Sequence, residues 1–286
     1  MIYSRLGDYM VRLIVDSTFG LSKEYAEKHN IKIVRLKMIL DEEIFDEGYE
    51  DTWGEFYEKM KSSKSFPTTS QPSPQDFIDA IEETYQEDPN AEIIILTISN
   101  RLSGTINAAT IAANSFEAKK IIAVDTREAT TCCRIMTEEL VEAINAGATY
   151  EQVLELITTL QKHLQIDFIP DSMDDLKRGG RVGSLAAVIA TAFKIKPLFR
   201  FADGNITIIK KVIGLSKAIS DAIAEIPKKL KKLYVCYIYD NANVQKITNK
   251  LKSVLGIENV EEVAIEPVFG VHVGIGAVGI ASLEEY

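Results

Sequence analysis

The sequence predicts an α/β protein of two domains. The first is an α/β/α layer with a mostly parallel sheet; the second is a smaller α+β domain with a mixed sheet. Three observations predict this. Short β-branched runs alternate with amphipathic stretches up to about residue 165, a hairpin signature follows near residue 203, and 286 residues exceed the length of one ordinary domain. The expected domains are 1–165 and 166–286.

In chain order, RLIVDS, IKIVRLKMIL, EIIILTIS and KKIIAVDT read as strands. Thr52 to Glu55 and Ser73 to Asp76 each fit a capping box ahead of an apolar-periodic segment. Pro74 falls at the first helical position, where its missing N–H costs nothing. A further helix, YEQVLELITTLQKHL, follows Thr149. Apolar strands alternating with helices predict a mostly parallel sheet covered on both faces. The pattern then changes. IDFIPDSMDDLKRGGRVGSLAAVIATAF reads as short helices broken at Gly179-Gly180. IKPLFRF and NITIIKKVI, joined at Asp203-Gly204, form a hairpin, since Asp-Gly suits the turn that matches strand twist. A helix, the strand KLYVCYIYD, another helix and a last strand, VEEVAIEP, complete the second domain.

Composition narrows the function. A formal charge of −10 opposes general binding to nucleic acid or anionic membranes, which requires clustered Lys and Arg. The N-terminus lacks the basic and apolar regions of a secretory signal. The longest apolar stretch, Leu185 to Phe193, is far short of the ~20 residues of a membrane span. Three cysteines, with Cys132 and Cys133 adjacent, match neither a disulfide framework nor a zinc spacing, so reduced thiols in a cytoplasmic protein are expected. No metal and no cofactor are expected.

The C-terminal stretch VFGVHVGIGAVGI contains G-x-G-x-x-G at Gly274, Gly276 and Gly279. A dinucleotide site needs a helix after that motif and an acidic residue about 20 positions on. Only seven residues follow Gly279, so the glycines belong to a strand or loop that carries His272. Strand ends of a parallel sheet collect ligands. Here they offer Asp16-Ser17-Thr18, Ser99-Asn100 and Asp125-Thr126, with a helix start near Ser103-Gly104-Thr105. The loop FPTTSQPSP adds Thr68, Thr69 and Ser70 between prolines. Each hydroxyl alone reads equally as a cap, but together they form neutral donors suited to a small carboxylate. The alanines of INAATIAA leave room for an apolar tail or serve tight helix packing. Arg178 and Arg181 flank a glycine pair and are candidates for partner docking, or for the plain C-terminal turn of a helix. Ser99 and His272, with Asp16 or Asp125, offer an alternative as an acyl hydrolase or transferase. No P-loop motif occurs in the chain.

In this order, VRLIVDST, TTSQPSP, TISNRLSGT, AVDT, DDLKRGGRVG, KIKPL and GVHVGIGAVGI resemble the DegV family of bacterial fatty-acid-binding proteins, from Val11 almost to the C-terminus. The resemblance implies two α/β domains with one long-chain fatty acid in a ligand cleft between them, and it makes residues 1–9 an extension ahead of Met10. It implies that Thr69, Ser99 and His272 hold the carboxylate, with Ser70, Ser103 and Gly104 as neighbours. It also implies a carrier that is not itself an enzyme and that presents the acid to a separate ATP-dependent fatty acid kinase, which makes an acyl phosphate for phospholipid synthesis. The chain departs from the family pattern at Val271 and Ile275, where Thr and Pro are common. REATTCCRIM replaces a glycine-rich run, and Ile213-Gly214 replaces an Arg-Thr pair.

Overall fold

The computed structural model describes residues 10–117, 119–181, 195–240 and 242–286. The expected N-terminal extension and the apolar stretch Leu185 to Phe193 lie outside the described residues.

Four strands, β1 (Val11–Asp16), β2 (Lys32–Val34), β6 (Glu92–Thr97) and β7 (Ile121–Asp125), form a parallel sheet in the order β2-β1-β6-β7. One face carries helices α3 (Pro74–Glu87) and α4 (Thr105–Asn114), which bury Phe77, Ile81, Ala108, Ala109 and Ala112 against Ile14, Ile93 and Ile95. The alanines therefore serve close helix-on-sheet packing. Ser73 and Asp76 form the expected capping box at the start of α3.

The other face meets α5 (Thr131–Asn145) and α6 (Tyr150–Leu160). Beyond them stands a six-stranded mixed sheet in the order β10-β9-β8-β13-β11-β12. Its strands are β8 (Leu164–Ile169), β9 (Lys196–Ala202), β10 (Asn205–Val212), β11 (Leu230–Tyr237), β12 (Glu261–Ala264) and β13 (Val278–Glu284). All its pairings are antiparallel except β11 with β12. Helices α8 (Leu215–Ala224) and α9 (Val244–Leu255) cover its outer face around Val235, Ile247 and Ile280. One core cluster runs from Leu13 and Val15 of β1 through Cys132 and Met136 of α5 to Phe168 and Tyr234 of the mixed sheet. The α5 helix is thus shared by both sheets.

The β9–β10 hairpin turns at Asp203 and Gly204, both at positive φ, as expected. The Gly204 N–H donates to the Arg127 carbonyl at 2.7 Å, which ties the tip of the hairpin to the loop after β7.

Four sequence expectations require correction. IKIVRLKMIL is two strands: β2 ends at Val34, and β3 (Lys37–Leu40) joins β4 (Glu43–Asp46) and β5 (Thr68–Ser70) in a separate antiparallel sheet. The alternation of buried Leu36, Met38 and Leu40 marks a half-buried strand of that kind. Helix α2 (Glu50–Ser62) starts ahead of Thr52, whose hydroxyl donates back to the Tyr49 carbonyl and caps nothing. Leu164, at helical spacing from Leu160, begins β8, so the helix after Thr149 is shorter than expected and IDFI, read with the short helices that follow, is strand. VEEVAIEP is not the last strand; VFGVHVGIGAVGI divides into a short helix, α10 (Pro267–Val273), and β13 at the centre of the mixed sheet.

Candidate functional site

Helix α10 carries His272 in its last turn. Pro267 occupies the first helical position, and the next free N–H, that of Val268, donates to Glu47 Oε1 at 2.7 Å. Helix α7 (Met173–Gly179) lies against α10 so closely that a Cβ on Gly179 would fall 2.5 Å from the His272 carbonyl oxygen and 2.7 Å from its Cα. Only glycine permits that approach. Beyond His272, Gly274 leaves the helix at φ +93°, where a side chain would also run into Asp175.

This contact sets the histidine. Its Nδ1 lies 3.0 Å from the Gly179 carbonyl oxygen, and its Nε2 lies 2.8 Å from the Thr69 hydroxyl. Thr69 is the central residue of β5 and is paired with Met38 of β3. Three segments remote in sequence therefore meet at one imidazole.

The Thr69–His272 pair opens onto a cavity of about 360 Å³. Its polar end is formed by Thr69, Ser70, Gln71, Ser103, Gly104, Arg181 and His272. Its body is apolar, walled by Ile166, Phe168, Phe201, Cys236, Ile238 and Phe269, among others. The inner face of the mixed sheet supplies most of that wall. Gly279 of β13 lies between Phe168 and Cys236 and leaves the floor open where any other residue would place a side chain.

A sequence profile of the family described as "Uncharacterised protein, DegV family" matches residues 10–285. The chain belongs to the DegV family. A DegV domain-containing protein of Clostridium perfringens is 30% identical over 285 residues, spanning 96% of this chain and 99% of its own. Among solved structures, a DegV family protein from Thermus thermophilus, described by its fatty acid binding, is 28% identical and superposes with a TM-score of 0.86, covering 96% of this chain and 100% of its own. A stearic acid-binding protein from Eubacterium ventriosum is 27% identical, with a TM-score of 0.85 and coverage of 96% and 98%.

The DegV chain brings most, but not all, of the expected site residues together. Thr69, Ser70, Ser103, Gly104 and His272 line the cavity. Arg181, expected as a docking residue, is instead at the rim of the polar end, donating to the Gly179 carbonyl at 3.0 Å. Arg178 lies outside the lining, with its guanidinium over the Phe66 ring. Ser99 is fully buried and does not line the cavity. Its N–H donates to the Glu128 carbonyl, and its own carbonyl accepts from Leu102 and Ser103, so it organises the turn that leads to Ser103. Both ring nitrogens of His272 are engaged elsewhere, and no Ser99–His272 hydrogen bond exists. The other strand-end groups also close loops: Asp16 accepts from Thr18 and from the Ile98 N–H, Asp125 accepts from Asn100, and Thr126 donates to the Thr97 carbonyl. Among the replacements for the glycine-rich run, Ala129 and Thr130 line the cavity, whereas Cys132 and Cys133 lie in the core. Val271 packs with Leu36, Met38 and Phe56. No helix among the described residues is long and apolar enough to cross a membrane.

Sequence reasoning missed the groups that fasten this arrangement. Glu47, in an acidic run that reads as surface, is fully buried and accepts from Ser17 at 2.6 Å as well as from Val268. Glu266, the residue before α10, is buried beside it and accepts from Thr130. Thr130 holds an unusual φ of 45°, strained for a β-branched residue, and its only sequence mark is the loop before α5. Burial pushes the Glu47 carboxyl up to about 8 against the hydrogen bonds from Ser17 and Val268. Glu266 is raised by burial and then by the nearby Glu47. Asp16 rises to about 6, again by burial. His272 moves the opposite way, to about 4, because burial and then the Arg181 charge disfavour the imidazolium.

Two outcomes follow from this packing. Gly179→Ala should cost about 1–3 kcal/mol of stability, the usual cost of overpacking, read as a lower urea midpoint. From about pH 4.5 to about pH 8 the folded state retains a Glu47 proton that the unfolded state releases, so this contribution to stability is lost as pH rises through that window. Glu47→Gln should therefore flatten the fall of the thermal midpoint between pH 5 and pH 8; an unchanged slope would assign the effect elsewhere.

Proposed function

We propose that this DegV protein binds one long-chain fatty acid, with the carboxyl head at Thr69 and His272 and the acyl chain along the apolar wall of the mixed sheet. The observation that carries this reading is one cavity whose lining is mostly apolar and includes the hydrogen-bonded Thr69–His272 pair. Burying the chain yields roughly 0.8 kcal/mol per methylene. The head must recover the hydrogen bonds it loses on leaving water, and Ser70, Ser103 and the free N–H groups at the start of α4 lie around the same end. That start has Gly104 as its cap residue and no side-chain cap; the Asn107 N–H donates to the Gly104 carbonyl, which leaves those of Thr105 and Ile106 as the available donors. Arg181 adds positive charge at the rim. The fatty acid binding described for the Thermus and Eubacterium proteins supports the reading, since both share the fold over nearly the whole chain.

The chain holds no P-loop of its own. Phosphorylation of the bound acid therefore falls, in this reading, to a separate ATP-dependent fatty acid kinase, with exposed Arg178 as a docking point. The hydrolase alternative has no observation in its favour, because Ser99 is buried in a turn and away from the cavity lining.

Native mass spectrometry of the gently purified protein should show one co-purified fatty acid per chain, and delipidated protein should rebind oleate. An empty protein that also rejects oleate would sink the proposal. Thr69→Val should weaken oleate by about 1–2 kcal/mol, the scale of one hydrogen bond near a charged group. Ala277→Leu, which intrudes on the apolar wall, should weaken oleate more than decanoate; equal losses for both would place the tail elsewhere.

A further inference from the structure

We infer that binding at the Thr69–His272 pair takes up one proton, because the empty pair presents no hydrogen to an anionic head. The inference rests on the fatty-acid reading above and concerns the form in which the acid is held.

Hydrogen-bond polarity carries it. A carbonyl oxygen has no hydrogen to give, so His272 Nδ1, 3.0 Å from the Gly179 oxygen, must carry the hydrogen and donate. In a neutral ring Nε2 is then an acceptor. It lies 2.8 Å from Thr69 Oγ1, whose hydrogen therefore points at the ring. Thr69 therefore offers the cavity only its remaining lone pairs, and an ionised head bonded to Thr69 would meet lone pair against lone pair.

One added proton resolves the mismatch in two equivalent ways. On Nε2, it donates to Thr69 Oγ1 and frees the hydroxyl hydrogen for the carboxylate. On the ligand, it makes a carboxylic acid that donates to Thr69 Oγ1. The two forms contain the same atoms and interconvert by proton shifts along the carboxyl–Thr69–His272 chain.

The surroundings keep the empty ring neutral. Burial and then the Arg181 charge disfavour the imidazolium and bring its pKa down to about 4. Other charged or titratable groups on the packed elements are engaged differently. Asp175 of α7 abuts Gly274, Tyr57 of α2 abuts Gly270, and Glu47 binds the first turn of α10. Glu266 accepts from Thr130, Arg178 lies over Phe66, and β3 contributes Met38 and Leu40, which do not titrate. Arg181, Ser70, Ser103 and the N–H groups at the start of α4 are the competitors: a carboxylate held by those donors alone, without a bond to Thr69, would take up no proton.

The test is calorimetric titration of delipidated protein with sodium myristate at pH 6.5–8.5, repeated in buffers of different ionisation enthalpy. The expected result is uptake of about one proton per myristate and an affinity that falls about tenfold per pH unit. Ring-¹⁵N histidine and ¹³C-carboxyl myristate then locate the proton, with either imidazolium at His272 or a carboxylic acid expected. Myristyl alcohol, which brings its own hydrogen, should bind without proton uptake. Myristate binding with pH-independent affinity and no uptake would overturn the inference and leave fatty acid binding intact. Uptake with a neutral His272 ring and an ionised ligand would overturn it as well. No binding of myristate at any pH would remove both this inference and the function it rests on.

Discussion

The contact between Gly179 and the backbone of His272 is the constraint on which the site depends. A carbonyl oxygen 2.5 Å from where a Cβ would sit leaves no alternative residue. The same closeness brings the Gly179 carbonyl within hydrogen-bond reach of the imidazole. Once Nδ1 is committed there, the ring can turn its other nitrogen only toward Thr69. The conformation of one glycine in a seven-residue helix thus decides the donor and acceptor pattern at the head of the cavity.

The rest of the fold holds that contact in place. Helix α5 packs between the parallel and mixed sheets, and one continuous core crosses both. Two buried acids, Glu47 and Glu266, are costly to remove from water unless they hold protons or find donors. They sit where α10 begins, and their partners, Ser17, Val268 and Thr130, come from three separate segments. The expense falls at the point where helix α10 must be fixed relative to the parallel sheet, an arrangement that favours position over stability.

Much of the fold was legible in the sequence, because burial on both faces writes the parallel strands as continuous apolar runs and Ser73 and Thr149 mark helix starts. The hairpin at Asp203-Gly204 was equally plain. Strand β13 was only half legible, as a strand or loop: Gly279 and Ala281 have little strand preference, and Gly279 and the preceding Ala277 line the cavity. Among the residues that line the cavity, Thr69 and His272 stood out in the sequence as part of a hydroxyl run and as the lone C-terminal histidine, and the family resemblance singled them out. Ser99 carried the same kind of mark but serves a turn, because a hydroxyl at a strand end bonds the backbone as readily as a ligand. Glu47 left no mark, since an acidic residue in an acidic run looks solvated until the fold closes over it.

The most direct measurement is a crystal structure of the protein with oleate bound. Elongated density is expected along Phe168, Cys236 and Ile238, with a carboxyl oxygen within hydrogen-bond distance of Thr69 Oγ1. Density with the carboxyl at the opposite end, or a ligand outside this cavity, would contradict that placement.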